Sequence, residues 1–234
     1  GLKGGHSGLD IHLGRGNANK IMNDILKKAY EKFGVRLSSI DGGSLRNAIP
    51  RESFAVVVVP DKNKDEFKKF IQDYENNAKK EFQDVDPGLL IKVDSTKMPT
   101  SLIDEETQNN LYKAVGECVN GVTAMSKDMP GVVETSTNLA IVKSGESTIE
   151  LASLQRSQVD SDKDELSGKI AEIFKNAGAT PEITGDYPGW KPNVDSPILH
   201  EMKEIYNQKF GKVPEVKVIH AGLECGILGA KYTN

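Results

Sequence analysis

Three features of this 234-residue sequence predict an α+β fold in which antiparallel strands carry helices on one face. Apolar residues recur at helical spacing in well-separated segments. Short β-rich runs bounded by glycine and proline lie between those segments, and a similar order of elements returns in the second half. Each half reads as a β-α-β-β-α-β unit, an ordering that pairs strands antiparallel and puts the helices on one side of the sheet.

Residues 2–13 alternate loosely between apolar and polar and are expected to form the first strand. Asn17 then precedes Ile21, Ile25, Leu26, Ala29 and Phe33, a spacing that gathers apolar groups on one helical face, and Gly34 is a natural stop. Runs at 35–40 and 53–59 read as strands of a hairpin-like excursion, separated by Asp41-Gly42-Gly43 and a stretch ending at Pro50. From 63 to 82, Phe67, Phe70, Ile71, Tyr74 and Ala78 describe a second amphipathic helix, and a strand is expected at 89–93. The second half predicts a helix at 101–118, strands at 122–126, 135–143 and 148–156, a helix at 161–177 and a strand at 182–184.

Two prolines, two glycines and the only tryptophan, Trp190, cluster between 185 and 192, and a boundary is expected there. Beyond it, 195–210 reads as a helix with Pro197 in its first turn and 216–219 as a buried strand. The segment from His220 to Gly226 reads as a strand-to-helix loop, the kind that borders a binding crevice in a parallel α/β sheet. Residues 1–187 are thus expected to form one domain and 188–234 part of another. Both ends look like cuts within a longer protein.

The charge balance, 30 basic against 34 acidic residues, offers no general attraction to polyanions, which disfavours nucleic acid as a partner. No apolar run approaches the length that spans a bilayer, and no secretory signal is visible. Cys118 and Cys225 are widely separated and fit neither a disulfide framework nor a zinc ribbon, so a reducing cytoplasm is the expected compartment.

Among possible chemical groups, Gly14-Arg15-Gly16-Asn17-Ala18-Asn19 begins like a dinucleotide fingerprint but lacks the third glycine. The four histidines, His6, His12, His200 and His220, include no H-E-x-x-H pair, and His220 with Glu224 is a two-residue match of the sort chance supplies. His6 stands apart because glycines on both sides, in Gly4-Gly5-His6-Ser7-Gly8, let backbone approach a ligand closely. Asn47 lies beside a run of apolar strand residues. Arg156 closes a strand, where a fixed guanidinium suits a carboxylate. The plain alternatives are an edge amide and a surface ion pair.

Four blocks taken together are more specific: Gly1-Leu2-Lys3-Gly4-Gly5-His6-Ser7-Gly8, Leu45-Arg46-Asn47-Ala48-Ile49-Pro50-Arg51-Glu52, Val133-Glu134-Thr135-Ser136-Thr137-Asn138-Leu139 and Ile219-His220-Ala221-Gly222-Leu223-Glu224-Cys225-Gly226. In this order they resemble bacterial aminoacyl-histidine dipeptidases, part of a larger family of two-zinc peptidases and aminoacylases with an inserted lid. The resemblance implies a cytoplasmic hydrolase of short peptides, such as the Xaa-His dipeptide carnosine, with a lid at 1–187 and a piece of catalytic α/β domain at 188–234.

It also implies two zinc ions in the parent enzyme, with cobalt or manganese as substitutes. Their ligands sit in an H-x-D segment, a later Asp, a Glu-Glu pair, another Asp and a final His, segments this chain lacks. No metal is therefore expected here, and the chain alone should be inert. By the same resemblance His6 matches a lid histidine that stabilises the oxyanion, Asn47 a lid asparagine near the substrate and Arg156 the arginine that grips the free carboxylate. Glu224 would meet the substrate amine, and homodimer formation through the lid is expected, a pure dimerisation or interaction module being the alternative.

Overall fold

The computed structural model describes residues 1–127, 129–188, 193, 195–216, 218 and 224–232, with the side chains of residues 224, 225 and 230 excepted. Its strands are β1 (Gly5–His6), β2 (Arg36–Gly42), β3 (Ala48–Ile49), β4 (Ser53–Val58), β5 (Gly121–Met125), β6 (Val133–Ser144) and β7 (Ile149–Ser157). Its helices are α1 (Ala18–Phe33), α2 (Lys64–Glu81), α3 (Glu105–Glu117), α4 (Asp160–Asn176), α5 (Pro197–Phe210) and α6 (Glu224–Lys231). The α+β class, the antiparallel pairing and the helices on one face agree with the sequence reading.

The long strand β6 organises the sheet. β7 pairs along its whole length on one edge, while the other edge is shared by β5 at Val133–Thr137 and by β2 at Val142–Lys143. β4 continues the sheet beyond β2. Four helices cover one face. Leu26, Leu111, Val115, Leu166, Ile170 and Phe174 pack on Leu37, Ile40, Leu139 and Val142, and a second cluster joins α1 and α2 through Ile25, Ala29, Phe67 and Ile71.

Between β5 and β2 the edge of β6 is left without a strand, and three asparagines complete its hydrogen bonding. Asn17 Nδ2 donates to the Leu139 carbonyl and to Asn120 Oδ1, and Asn120 Oδ1 in turn accepts from the Leu139 amide. Asn19 Nδ2 donates to the carbonyls of Gly42 and Ala140. Asn17 also caps α1, its Oδ1 accepting from the amides of Asn19 and Lys20. The segment that looked like a nucleotide fingerprint therefore has a structural use, because its own asparagine occupies the helix N-terminus where a phosphate would bind. Gly34 ends α1 in the left-handed conformation at φ 66°, as expected. At the far end of α3, Lys20 Nζ donates to the carbonyls of Val115, Gly116 and Cys118, and burial lowers its pKa.

Two expected strands are absent and a third is cut short. Of residues 2–13 only Gly5 and His6 pair as a strand, and the chain then turns through a short 3-10 segment at Ile11–Leu13. Residues 89–93 form no strand and dock on a helix: Leu89 is buried and the Ile91 amide donates to Glu75 Oε1 on α2. Residues 182–184 join no strand, and Ile183 is exposed. The sequence analysis also missed β3, which pairs with β1 in the register Gly5↔Ile49 and His6↔Ala48. The strand expected at 216–219 and the loop expected at 220–226 fall largely on residues 217 and 219–223, outside the described residues, and residues 224–226 of that loop already belong to α6. No helix of the described residues is long and apolar enough to cross a membrane.

Candidate functional site

The helix-free face of β6 and β7 carries the site. Leu139 points into the helical core, so strand alternation turns Asn138 and Ser136 the other way. Arg156 lies directly across from Ser136 and shares that face. The β1–β3 ribbon lies over this surface, and Asn138 holds it down: its Nδ2 donates to the carbonyls of Arg46 at 3.3 Å and Ala48 at 2.8 Å. Asn138 is fully buried, and its Oδ1 has no partner among the described residues.

His6 begins a compact loop held by Asp10. Its amide donates to Asp10 Oδ2 at 2.9 Å, and its carbonyl accepts from the amides of Leu9 and Asp10. The close approach permitted by glycine at position 5, where φ is 149°, is to this same chain, since a Cβ there would lie 2.6 Å from Asp10 Oδ2. The imidazole is fixed too. The Gly8 amide donates to His6 Nδ1 at 3.0 Å, so the neutral ring carries its hydrogen on Nε2 and keeps an N–H donor there.

Ser7 brings the three sequence candidates together. It is 1% exposed; its amide donates to the Asn47 carbonyl at 2.8 Å, and its Oγ accepts from Arg156 Nε at 3.3 Å. The carbonyls of Asn47 and of both its neighbours are thus all engaged, while the residue itself, in a turn before β3, is exposed to solvent. Arg156 is only 7% exposed. Its second partner is the hydroxyl of Tyr187, which accepts from Nη1 at 3.0 Å, and among the described residues no carboxylate pairs with it. A buried guanidinium held by two neutral hydroxyls is a cation whose charge the described residues leave uncompensated. The surface ion pair considered from sequence is therefore not what surrounds Arg156.

Tyr187 is itself clamped. Lys163, at the start of α4, donates to the Tyr187 carbonyl at 2.6 Å, sits 5.8 Å over its ring, and pairs with Asp186 at 2.6 Å and Asp160 at 3.1 Å. Burial opposes the ammonium charge, but the two aspartates outweigh it and raise the pKa of Lys163. Sequence reasoning passed over Ser7, Asn138, Lys163 and Tyr187. Only Ser7 and Asn138 carried a signal, as members of the recognised blocks.

The side chain of Glu224, the remaining candidate, lies outside the described residues, as does His220. Among the described residues no group of three or more His, Cys, Asp or Glu side chains is placed to hold a metal. Cys118 is buried, which pushes its thiol up to about 11 and removes it as a nucleophile.

The loop, the ribbon and the first two helices fall within residues 1–86, which match the family model described as the peptidase dimerisation domain. Cytosol non-specific dipeptidase of Escherichia coli (strain K12) is 38% identical over 232 residues, 99% of this chain and 48% of its own length. The crystal structure of aminoacylhistidine dipeptidase from Vibrio alginolyticus superposes with a TM-score of 0.91 at 38% identity, over 98% of this chain and 47% of that one. The similarity to these dipeptidases runs past residues 1–86 to almost the whole chain, which spans about half the length of each relative.

Proposed function

We propose that this chain is the substrate-covering lid, with an adjoining piece of catalytic domain, of a cytosolic metal-dependent dipeptidase acting on short peptides of the Xaa-His type. The observation that carries this reading is the meeting of His6, Asn47 and Arg156 around Ser7 on one face of the sheet. In this reading His6 Nε2–H donates to the oxyanion formed when the peptide carbonyl is attacked. Such a donor lowers the barrier while adding little to ground-state binding. Arg156 takes the free carboxylate of the dipeptide, the charge its surroundings lack, with the planar two-point geometry that suits a chain end. The exposed Asn47 amide contacts the bound peptide, and Glu224 meets its amine.

Among the described residues no cluster fits a metal site, and in this reading the ions of the dipeptidase are held elsewhere in the whole protein. The division near 187 has support from α5, which buries none of its residues and exposes Ile198, Met202 and Ile205 at helical spacing, an apolar stripe suited to the rest of a second domain. The dimerisation-domain match supports a homodimer built through the lid.

Carnosine hydrolysis by the whole protein that contains this chain, run beside residues 1–234 alone, tests the reading. Turnover by the whole protein and none by the shorter chain is expected. Tight stoichiometric zinc binding with turnover by the 234-residue chain, or no dipeptide hydrolysis by the whole protein, overturns it.

A further inference from the structure

We infer that the Tyr187 hydroxyl is a second ligand for the substrate carboxylate, donating its proton to a lone pair that Arg156 leaves open. This rests on the proposal that Arg156 binds that carboxylate. A phenol offers one hydrogen to donate and lone pairs to accept, whereas a guanidinium only donates. In the 3.0 Å contact with Arg156 Nη1 the Tyr187 oxygen must therefore be the acceptor, and its own O–H points elsewhere. Among the described residues no group takes that proton.

The hydroxyl is also held firmly. Lys163 fixes the Tyr187 backbone through its carbonyl and sits over the ring, and it pairs with the neighbouring Asp186. A donor-only cation and an unspent O–H, both anchored before any ligand arrives, form a cradle for a group with several acceptor oxygens and one negative charge. A carboxylate meets both requirements. A C-terminal amide has one acceptor oxygen and no charge, so the pair would select peptides ending in a free carboxylate close to the scissile bond.

The test uses the whole protein with Tyr187→Phe and Arg156→Ala, each assayed on carnosine and on carnosine C-terminal amide. The phenylalanine keeps the ring under Lys163 and removes only the hydroxyl. A hydrogen bond to a charged partner corresponds to roughly a 10- to 100-fold change in affinity, so Tyr187→Phe should raise KM for carnosine by about that factor and leave the amide unchanged. Arg156→Ala should also abolish the preference for carnosine over its amide. Loss of preference with Arg156→Ala but not with Tyr187→Phe overturns the role of Tyr187 alone, as does an equal loss on both substrates with Tyr187→Phe. Retention of the preference by both variants overturns the Arg156 reading beneath it.

Discussion

Replacing Arg156 by methionine separates a structural arginine from a ligand-binding one, using the fold alone. The guanidinium makes two hydrogen bonds, at 3.3 Å to Ser7 Oγ and 3.0 Å to the Tyr187 hydroxyl, and is 7% exposed. Bonds of a charged donor contribute about 1.5–3 kcal/mol each, which gives roughly 3–6 kcal/mol in favour of the arginine. Against this stands the effective desolvation penalty of a buried ion, also several kcal/mol. Methionine retains much of the apolar stem without the charge. The opposing quantities nearly cancel, and the variant should lie within about 1 kcal/mol of the parent or above it. With a urea slope of about 2 kcal/mol/M, the unfolding midpoint should fall by no more than about 0.5 M. A drop of about 1.5–2.5 M, which corresponds to the roughly 3–5 kcal/mol lost when a buried ion pair is broken, would mean that Arg156 serves the fold, and the ligand reading would fail.

Three further outcomes follow from the same contacts. Asn17→Ala removes the cap of α1 and strands the buried Leu139 carbonyl, so the unfolding free energy in urea should drop by about 2–5 kcal/mol; a loss below 1 kcal/mol would show that the gap between β5 and β2 closes without it. Asn138→Leu should release the turn at 46–48 and quicken hydrogen exchange at the Ser7 amide, whose acceptor is the Asn47 carbonyl, while unchanged exchange would contradict the link. Lys79 first, then the Ile91 amide, hold the Glu75 carboxyl below its ordinary 4.5. A folded value below the unfolded one stabilises fully above the unfolded value and is lost as pH falls through the folded one, so stability should decline below about pH 4.5 and Glu75→Gln should flatten that decline.

Much of this architecture was legible because long elements average over many residues. The helix from Ala18 to Phe33 announces itself through an asparagine cap, a 3.6-residue apolar face and a terminal glycine, and each of these is local. Residues 89–93 have strand-like composition, but the partner of the Ile91 amide is a glutamate on α2, and no pattern within five residues reveals which neighbour will satisfy the backbone. The two-residue strands β1 and β3 are too short to show alternation at all.

The site divides in the same way. His6 stood out through its flanking glycines, Asn47 through its block and Arg156 through its place at the end of a strand. Ser7, Asn138 and Tyr187 are ordinary residues on a loop, a strand and a connecting segment, and they acquire meaning only from contacts 31 to 149 residues away in sequence. The glycine-rich run at 14–16, which lacks the third glycine of a dinucleotide fingerprint, leads instead into Asn17 and Asn19, whose side chains tie the start of α1 to β6.

His6→Ala in the whole protein, measured on carnosine at saturating and limiting concentrations, probes the proposal at its centre. An N–H donor aimed at charge that develops only during attack predicts a fall in kcat of about 100- to 1000-fold with KM little altered. An unchanged kcat, or a loss confined to KM, would contradict the assignment of this imidazole to the reacting carbonyl.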